Sequence, residues 1–260
     1  MTIIGTSPTR ADLLQREYYE RTAHLYDAAH VHPGDEHDLA LNYIAGFFDT
    51  LKIFSVLDVG CGTGRGLAFL RKNYPQVAAH GVEPVPALIQ QAISANGIPA
   101  SAITEANGES LPFADQSIDA TFECGILHHA RNPEQVVREM LRVSRKAVFL
   151  SDENRFAHGS VISRWGKLLL CKTRIFRAAY RLKTLGKGYR FSEGDGLAYS
   201  YSVYDSIALL SRWADRIILI PTDNVKTGGV FHPLLTSFHL LLCAVRDTTP
   251  VKNLSDKGLR

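Results

Sequence analysis

Between residues 54 and 152, short strand-forming runs alternate with helix-patterned ones, and that rhythm leaves the chain few folds. "FSVLDVG" reads as a strand and residues 65–73 as a helix. "VAAHGVE" is a strand, followed by the helix "PALIQQAISAN" with Pro86 near its first turn. "SAITEA" and "SIDATFECG" are strands, "NPEQVVREMLRV" is a helix, and "KAVFLSD" is a strand again. Asn132 is expected as the N-cap of that last helix, with Pro133 at its first position. Strands and helices alternating at this spacing predict a parallel sheet covered on both faces.

The flanks differ. Residues 8–50 place apolar and aromatic side chains three and four apart, which predicts two helices broken at "VHPGDEHD". After Asp152 the expectation is one helix over about 161–183, a glycine-rich loop, and a helix from Ser202 with Asp205 placed as in a capping box. Strands follow at 216–222 and 238–246, the second reached through a loop with Gly228 and Gly229. The parts are therefore a helical N-terminal lid (1–50), an α/β domain (51–246) with a helical, substrate-facing insertion (154–215), and a polar tail (247–260). The four cysteines are scattered without a CxxC pair, so they read as reduced cytoplasmic thiols and give neither a disulfide framework nor a zinc site. The opening "MTIIGTSPTR" lacks a signal-peptide core, and no window holds 18 uninterrupted apolar residues, so no spanning segment is expected.

"VLDVGCGTGRG" (56–66) is the stretch that carries chemistry. A glycine-rich turn at the carboxyl end of a strand brings backbone close to a ligand. The dinucleotide fingerprint G-x-G-x-x-G fails in both registers, because its third position falls on Arg65 or Leu67. What stands there is D-x-G-x-G-x-G: Asp58, Gly60, Gly62 and Gly64. A tight turn with an acid beside it suits the carboxylate and ammonium of an amino-acid group.

On these residues the chain resembles the class I S-adenosylmethionine-dependent methyltransferases, in their small-molecule branch (type 11), well over residues 20–152 and weakly elsewhere. The resemblance implies a Rossmann-like seven-stranded sheet, mostly parallel, whose antiparallel last strand lies between strands five and six. It implies S-adenosylmethionine as cofactor and no metal. Glu83, in "GVEP", stands where the family keeps an acid for the two ribose hydroxyls, which one carboxylate can hold in bidentate fashion. Its side chain is expected in a solvent-filled crevice. "ANGESLPF" is similar to the adenine-cradling segment, with Asn107 in place of the usual aspartate and Gly108 offering its N–H to the ring. The family's usual "PGG" turn before strand five is missing. Glu123 is expected to touch cofactor or substrate, and Tyr26 resembles the aromatic of the cofactor-covering lid; ordinary helix packing is the alternative for Tyr26.

A sulfonium donor transfers its methyl group by in-line displacement, so the protein must supply alignment and, for a hydroxyl acceptor, a base. His128 and His129 follow strand four and Asp152 ends strand five, so all three face one crevice in such a sheet. The pair His128–Asp152 resembles the base of sugar O-methyltransferases, and an imidazole of near-neutral pKa suits the task; packing alone is the competing reading of His128. The Asn/Asp-Pro-Pro-aromatic run shared by methyltransferases of adenine or glutamine nitrogens is absent, since "ECGI" stands there. "HVHPGDEHD" has metal-binding residue types at a spacing that fits no standard site.

From Asn154 to Ser192 there are Lys and Arg residues but no acid. On one helix, Val161, Trp165, Leu168, Leu169, Ile175, Phe176 and Ala179 would share an apolar face opposite Lys167, Arg174, Arg177 and Arg181. Such a helix suits an anionic membrane surface, an acidic or lipid-linked substrate, or nucleic acid stacked on Trp165, Tyr180, Tyr189 and Phe191; packing on the domain with a solvated basic face is the fourth reading. The expectation is a cytoplasmic enzyme, peripheral at a membrane if that face binds one. It would O-methylate a small acceptor (a sugar, natural product or lipid-linked glycan), with no DNA partner. The alternatives are a non-catalytic S-adenosylmethionine-binding module, or a methyltransferase of lipid or nucleic acid acting through residues 155–190. Acceptor, regiochemistry and oligomeric state are left open.

Overall fold

The structure is a computed structural model that describes residues 9–223 and 229–246. The expected tail from Asp247 and Gly228 of the expected loop lie outside these residues. The N-terminal region folds as α1 (Arg10–Thr22), α2 (Tyr26–His30), α3 (Glu36–Ala45) and α4 (Phe48–Leu51), with a 3-10 turn over Ala23–Leu25 breaking the first expected helix. Asp35 caps α3 by accepting from the backbone N–H of His37 and Asp38.

The alternating part runs β1 (Ser55–Val59), α5 (Arg65–Asn73), β2 (Ala78–Glu83), α6 (Pro86–Ser94), β3 (Ile103–Glu105), β4 (Ile118–Cys124), α7 (Pro133–Val143) and β5 (Ser144–Glu153). Asn132 occupies the N-cap of α7, but its side chain makes no capping hydrogen bond; Pro133 at the first position, with φ already helical, sets the start. α7 passes directly into β5, as the missing "PGG" turn implies.

After β5 come α8 (Val161–Lys172), α9 (Phe176–Lys183), β6 (Tyr189–Ser192), β7 (Gly196–Tyr199), α10 (Ile207–Leu210), β8 (Arg216–Pro221) and β9 (His239–Val245). The single helix expected over 161–183 is two, because Arg174 between them adopts a left-handed φ of 62°. The insertion is also not wholly helical: β6 and β7 form an antiparallel hairpin where a glycine-rich loop was expected. The capping box at Ser202 does not form; the Ser202 hydroxyl donates to Asn154 Oδ1 at 3.1 Å, and Asp205 instead pairs with Arg155.

The sheet order is β3-β2-β1-β4-β5-β9-β8, parallel throughout except for β9, which runs antiparallel between β5 and β8 as expected. Strand alternation divides its side chains between two cores. Leu57, Val148, Leu150 and Leu242 pack on the α7 side, while Val56, Phe149, Leu241 and Cys243 pack on the α3 and α5 side. With apolar residues on both faces the strands are buried, and only their carboxyl ends are left to bind a ligand. No helix among the described residues is long and apolar enough to cross a membrane.

Candidate active site

At the carboxyl end of β1 the chain turns through Gly60, Gly62 and Gly64, with φ of 74°, 53° and 83°. L side chains rarely adopt these values, and a Cβ on Gly60 would lie 2.6 Å from Ile126 Cγ2. The turn is pinned to β2: Gly60 and Cys61 donate their N–H groups to the Val82 carbonyl at 2.7 and 3.0 Å, and Gly62 donates to Glu83 Oε2 at 2.9 Å.

Glu83 is therefore not in a solvent-filled crevice. It is buried, its second oxygen accepts from the Val85 N–H at 3.0 Å, and burial pushes its carboxyl up to about 7 against the relief from those two N–H groups. Asp58 is buried too. Burial, reinforced by the Glu83 charge, holds its carboxyl well above the usual carboxylate range. Its space depends on Gly66, where a Cβ would lie 2.4 Å from Asp58 Oδ2 and 2.8 Å from the Phe122 ring.

Two adjoining cavities open at this edge. One, of about 340 Å³, is bounded by the glycine turn, Glu83, Val85, Asn107, Gly108 and Val136. The other, of about 370 Å³, is bounded by Asp58, the turn, His37, His128, Asp195 and His239. Tyr26, Gly60, Gly62, Gly125 and His129 line both, so the two share a wall at the glycine turn. Tyr26 closes over the turn, 3.9 Å from where a Cβ on Gly62 would stand. In the first cavity Asn107 Oδ1 accepts from the Glu109 N–H at 2.9 Å, which fixes the loop and leaves the Asn107 amide group for a ligand.

His128 projects into the second cavity. Its Nδ1 donates to Asp152 Oδ1 at 2.7 Å, and its Nε2 lies 3.8 Å from Asp195 Oδ2. Asp152 is fully buried, lines neither cavity, and also accepts from the Leu127 and Glu153 N–H groups. It orients His128 rather than facing a ligand. Burial alone would depress the imidazole, but Asp152 and Asp195 outweigh it and lift its pKa well above the ordinary value. The near-neutral imidazole expected from sequence is thus held above its ordinary pKa by the two carboxylates beside it. Glu123 corrects a second expectation: it is fully buried, lines neither cavity and accepts from the Ile126 N–H at 3.0 Å. It shapes the turn before His128 instead of meeting cofactor or substrate.

Sequence reading missed three groups. Asp195, at the tip of the β6–β7 hairpin, approaches His129 Nε2 at 3.4 Å, and the hairpin is held by Tyr18 and by Gln15, which accepts from the Leu197 N–H at 2.5 Å. Arg65 pairs with Asp35 and with Asp38 (2.6 Å), tying the first turn of α5 to the "HVHPGDEHD" loop. Asp27 of α2 accepts from Thr63 and from Asn96 Nδ2 at 2.8 Å, which fastens the lid to the turn. That loop therefore serves Arg65, while its His37 and Glu36 lie near His239 within ligand distance of one another.

Residues 57–150 match the family described as the methyltransferase domain, type 11. This stretch is a methyltransferase domain. An uncharacterized methyltransferase of Mycolicibacterium gilvum is 34% identical over 93 residues, and one of a Mycobacterium species (strain KMS) 38% over 92 residues. The similarity spans about a third of the curated relatives' length, 35% and 34% respectively. Two solved structures share the fold over most of their length. A Thermotoga maritima S-adenosylmethionine-dependent methyltransferase, described as a possible histamine N-methyltransferase, superposes with a TM-score of 0.56 at 15% identity, covering 88% of this chain and 99% of that one. Magnesium protoporphyrin IX methyltransferase from Synechocystis, solved with S-adenosylmethionine bound, gives 0.56 at 14% identity, covering 93% and 100%. The methyltransferase domain thus accounts for β1 through β5, while the lid, the hairpin and α8–α9 lie outside the matched residues.

Proposed function

We propose that the chain is an S-adenosylmethionine-dependent methyltransferase that acts on a hydroxyl of a small molecule. The observation that carries this reading is the pair His128–Asp152, in which His128 lines the same cavity as the glycine turn. The residues present fit the cofactor. Asp58 and Glu83 are buried acids at the cavity edge, both costly to ionise without a partner. An ammonium at Asp58 and a ribose diol at Glu83 would relieve that cost. Gly108 packs against Val59 and Val136 so closely that a Cβ would stand 3.1–3.2 Å from them, which leaves a flat wall for an aromatic base. When bound, S-adenosylmethionine supplies an activated methyl group.

The protein's own work is positional and protolytic. Tyr26 and the Asp27–Thr63 contact close the lid and exclude water. Asp152 keeps Nδ1 protonated and turns Nε2 to the acceptor. His128, once it has lost its Nε2 proton, takes the proton of the acceptor hydroxyl. Its four cysteines are free thiols, which supports a reducing, cytoplasmic setting. The test is transfer of labelled methyl groups from S-adenosylmethionine into small molecules of a cell extract. Transfer that His128→Ala abolishes supports the assignment; tight cofactor binding with no transfer to any metabolite would make the chain a binding module.

A further inference from the structure

The insertion turns its apolar face the wrong way for a packed helix. Arg164 and Lys167 of α8 point inward: Arg164 donates to the Gly159 and Leu235 carbonyls at 2.9 and 2.8 Å, and Lys167 to those of Arg155 and His158. Val161, Ile162, Trp165 and Leu169 point outward, with Ile162 85% and Leu169 64% exposed. At 100° per residue these four lie within one 100° stripe, on which Lys172 also falls. Phe231 meets the Trp165 ring edge-on at 4.8 Å, and Phe238 is also exposed. The basic face expected opposite the apolar one is thus split: Lys167 turns inward, while Arg174, Arg177 and Arg181 lie beyond the end of α8, exposed.

Charge decides what covers this patch. Lys172, Arg174, Arg177, Arg181, Lys183 and Lys187 are all exposed, and none has an ion-pair partner among the described residues. No acid lies between Asn154 and Ser192. Aliphatic side chains beside unpaired cations suit an interface of hydrocarbon and anionic headgroups. Nucleic acid fits less well. Tyr180 is stacked on Phe176, Tyr189 packs on Tyr199 and Phe191 on Tyr18, so three of the four expected stacking rings are engaged within the protein. The patch also borders the site: Phe238 and His158 line the same cavity as His128, and their rings lie 6.3 Å apart.

We propose that α8–α9 seats this protein on the surface of an anionic bilayer, and that the His128 cavity takes an acceptor carried on a lipid. The second half rests on the functional reading above; the first does not. Trp165 reports the docking, because Trp213 is the only other tryptophan and can be replaced by Phe. Full-length Trp213→Phe protein is mixed with vesicles of phosphatidylcholine alone, or of phosphatidylcholine with phosphatidylglycerol. Trp165 emission should shift to the blue, and acyl-chain-brominated lipid should quench it, only with the anionic vesicles. Binding should weaken with salt. Arg174→Gln, Arg177→Gln and Arg181→Gln together should lower partitioning about a hundredfold, taking roughly fivefold for each basic residue at the surface. Trp165→Ser with Leu169→Ser should abolish cosedimentation while leaving S-adenosylhomocysteine binding unchanged, which shows the fold intact.

Equal binding to neutral vesicles, or none to anionic ones, overturns the proposal. So does a Trp165 shift produced by inorganic phosphate alone. A concentration-dependent dimer in sedimentation that Trp165→Ser dissolves, without vesicle binding, assigns the patch to a second copy and overturns it too. For the acceptor, labelled methyl should enter the organic phase of a membrane extract. Label confined to the aqueous phase refutes the lipid-borne acceptor and leaves methyl transfer standing; no label in either phase refutes the transfer itself.

Discussion

Replacing Glu83 should change stability and cofactor affinity in ways that separate with pH. The carboxylate accepts from Gly62 and Val85 at 2.9 and 3.0 Å, so Glu83→Ala strands two buried N–H groups, at about 1–3 kcal/mol each. Ionisation works in the opposite direction. The carboxyl rises from 4.5 to about 7 on folding, which makes its charged form cost about 3 kcal/mol in the folded state. Because the folded value is the higher one, stability from this group is full below pH 4.5 and is lost as pH climbs through 7. At pH 5 the variant without ligand should therefore be weaker than the parent by about 2–4 kcal/mol, roughly 5–15 °C in Tm. At pH 8 the parent bears the ionisation cost that the variant lacks, so the gap should close towards zero. At pH 8, where the carboxyl is ionised, affinity for S-adenosylhomocysteine should fall roughly 30- to 1000-fold, the loss of a charge-assisted pair of hydrogen bonds worth about 2–4 kcal/mol; at pH 5, where it is mostly neutral, the loss should be smaller. Thermal melts at both pH values and calorimetric titration measure the two effects. A gap that does not narrow with pH would show that burial has not raised this carboxyl. Unchanged affinity would show that Glu83 does not hold the ribose.

Further expectations concern the base and the lid. His128→Ala should lower kcat by about two to four orders of magnitude with cofactor affinity barely altered, as single-turnover kinetics and titration would show. Asp152→Asn should lower kcat as well, by letting the imidazole change tautomer, without altering either cavity wall. Asp152 and Asp195 raise the pKa of His128, so a base acting at Nε2 should give a rate that rises with pH; Asp195→Asn removes one of those charges and should move the rising limb of the kcat profile to lower pH. Arg65→Ala should release Asp35 and Asp38 from α5, raising KM for the cofactor and speeding amide exchange in the loop before α3.

Much of the fold was legible because it is built from local signals. Pro86 and Pro133 mark helix starts, and Gly60–Gly64 can only be a turn at a strand end. The central strands are buried on both faces, so their continuous apolar runs stand out. What stayed hidden depends on contacts between distant segments. The β6–β7 hairpin is short and weakly apolar, and Gly194 and Gly196 made it look like a loose loop; its stability comes from Gln15 and Tyr18 on α1. The "DG" at 195–196 was the one local sign of a tight turn there. Arg65 offered another. A cation in the first turn of a helix opposes the helix dipole, so it calls for carboxylates, and these come from Asp35 and Asp38 about 30 residues away. Asp58, Glu83, Asn107 and His128 could be singled out as candidates because each sits near or just past the carboxyl end of a recognisable strand. The burial of Asp58, Glu83 and His128, and with it the shifted pKa values, comes from segments far apart in the chain that pack together around them.

If the glycine turn and its two buried acids hold S-adenosylmethionine for transfer beside His128, the chain must bind that cofactor and its demethylated product. Calorimetric titration of the full chain with S-adenosylmethionine, S-adenosylhomocysteine and NAD tests it most directly. One site is expected, saturated by the first two ligands at micromolar concentrations and silent to NAD, with Gly62→Val abolishing the heat. Tight binding of NAD and no response to either sulfur ligand would contradict it.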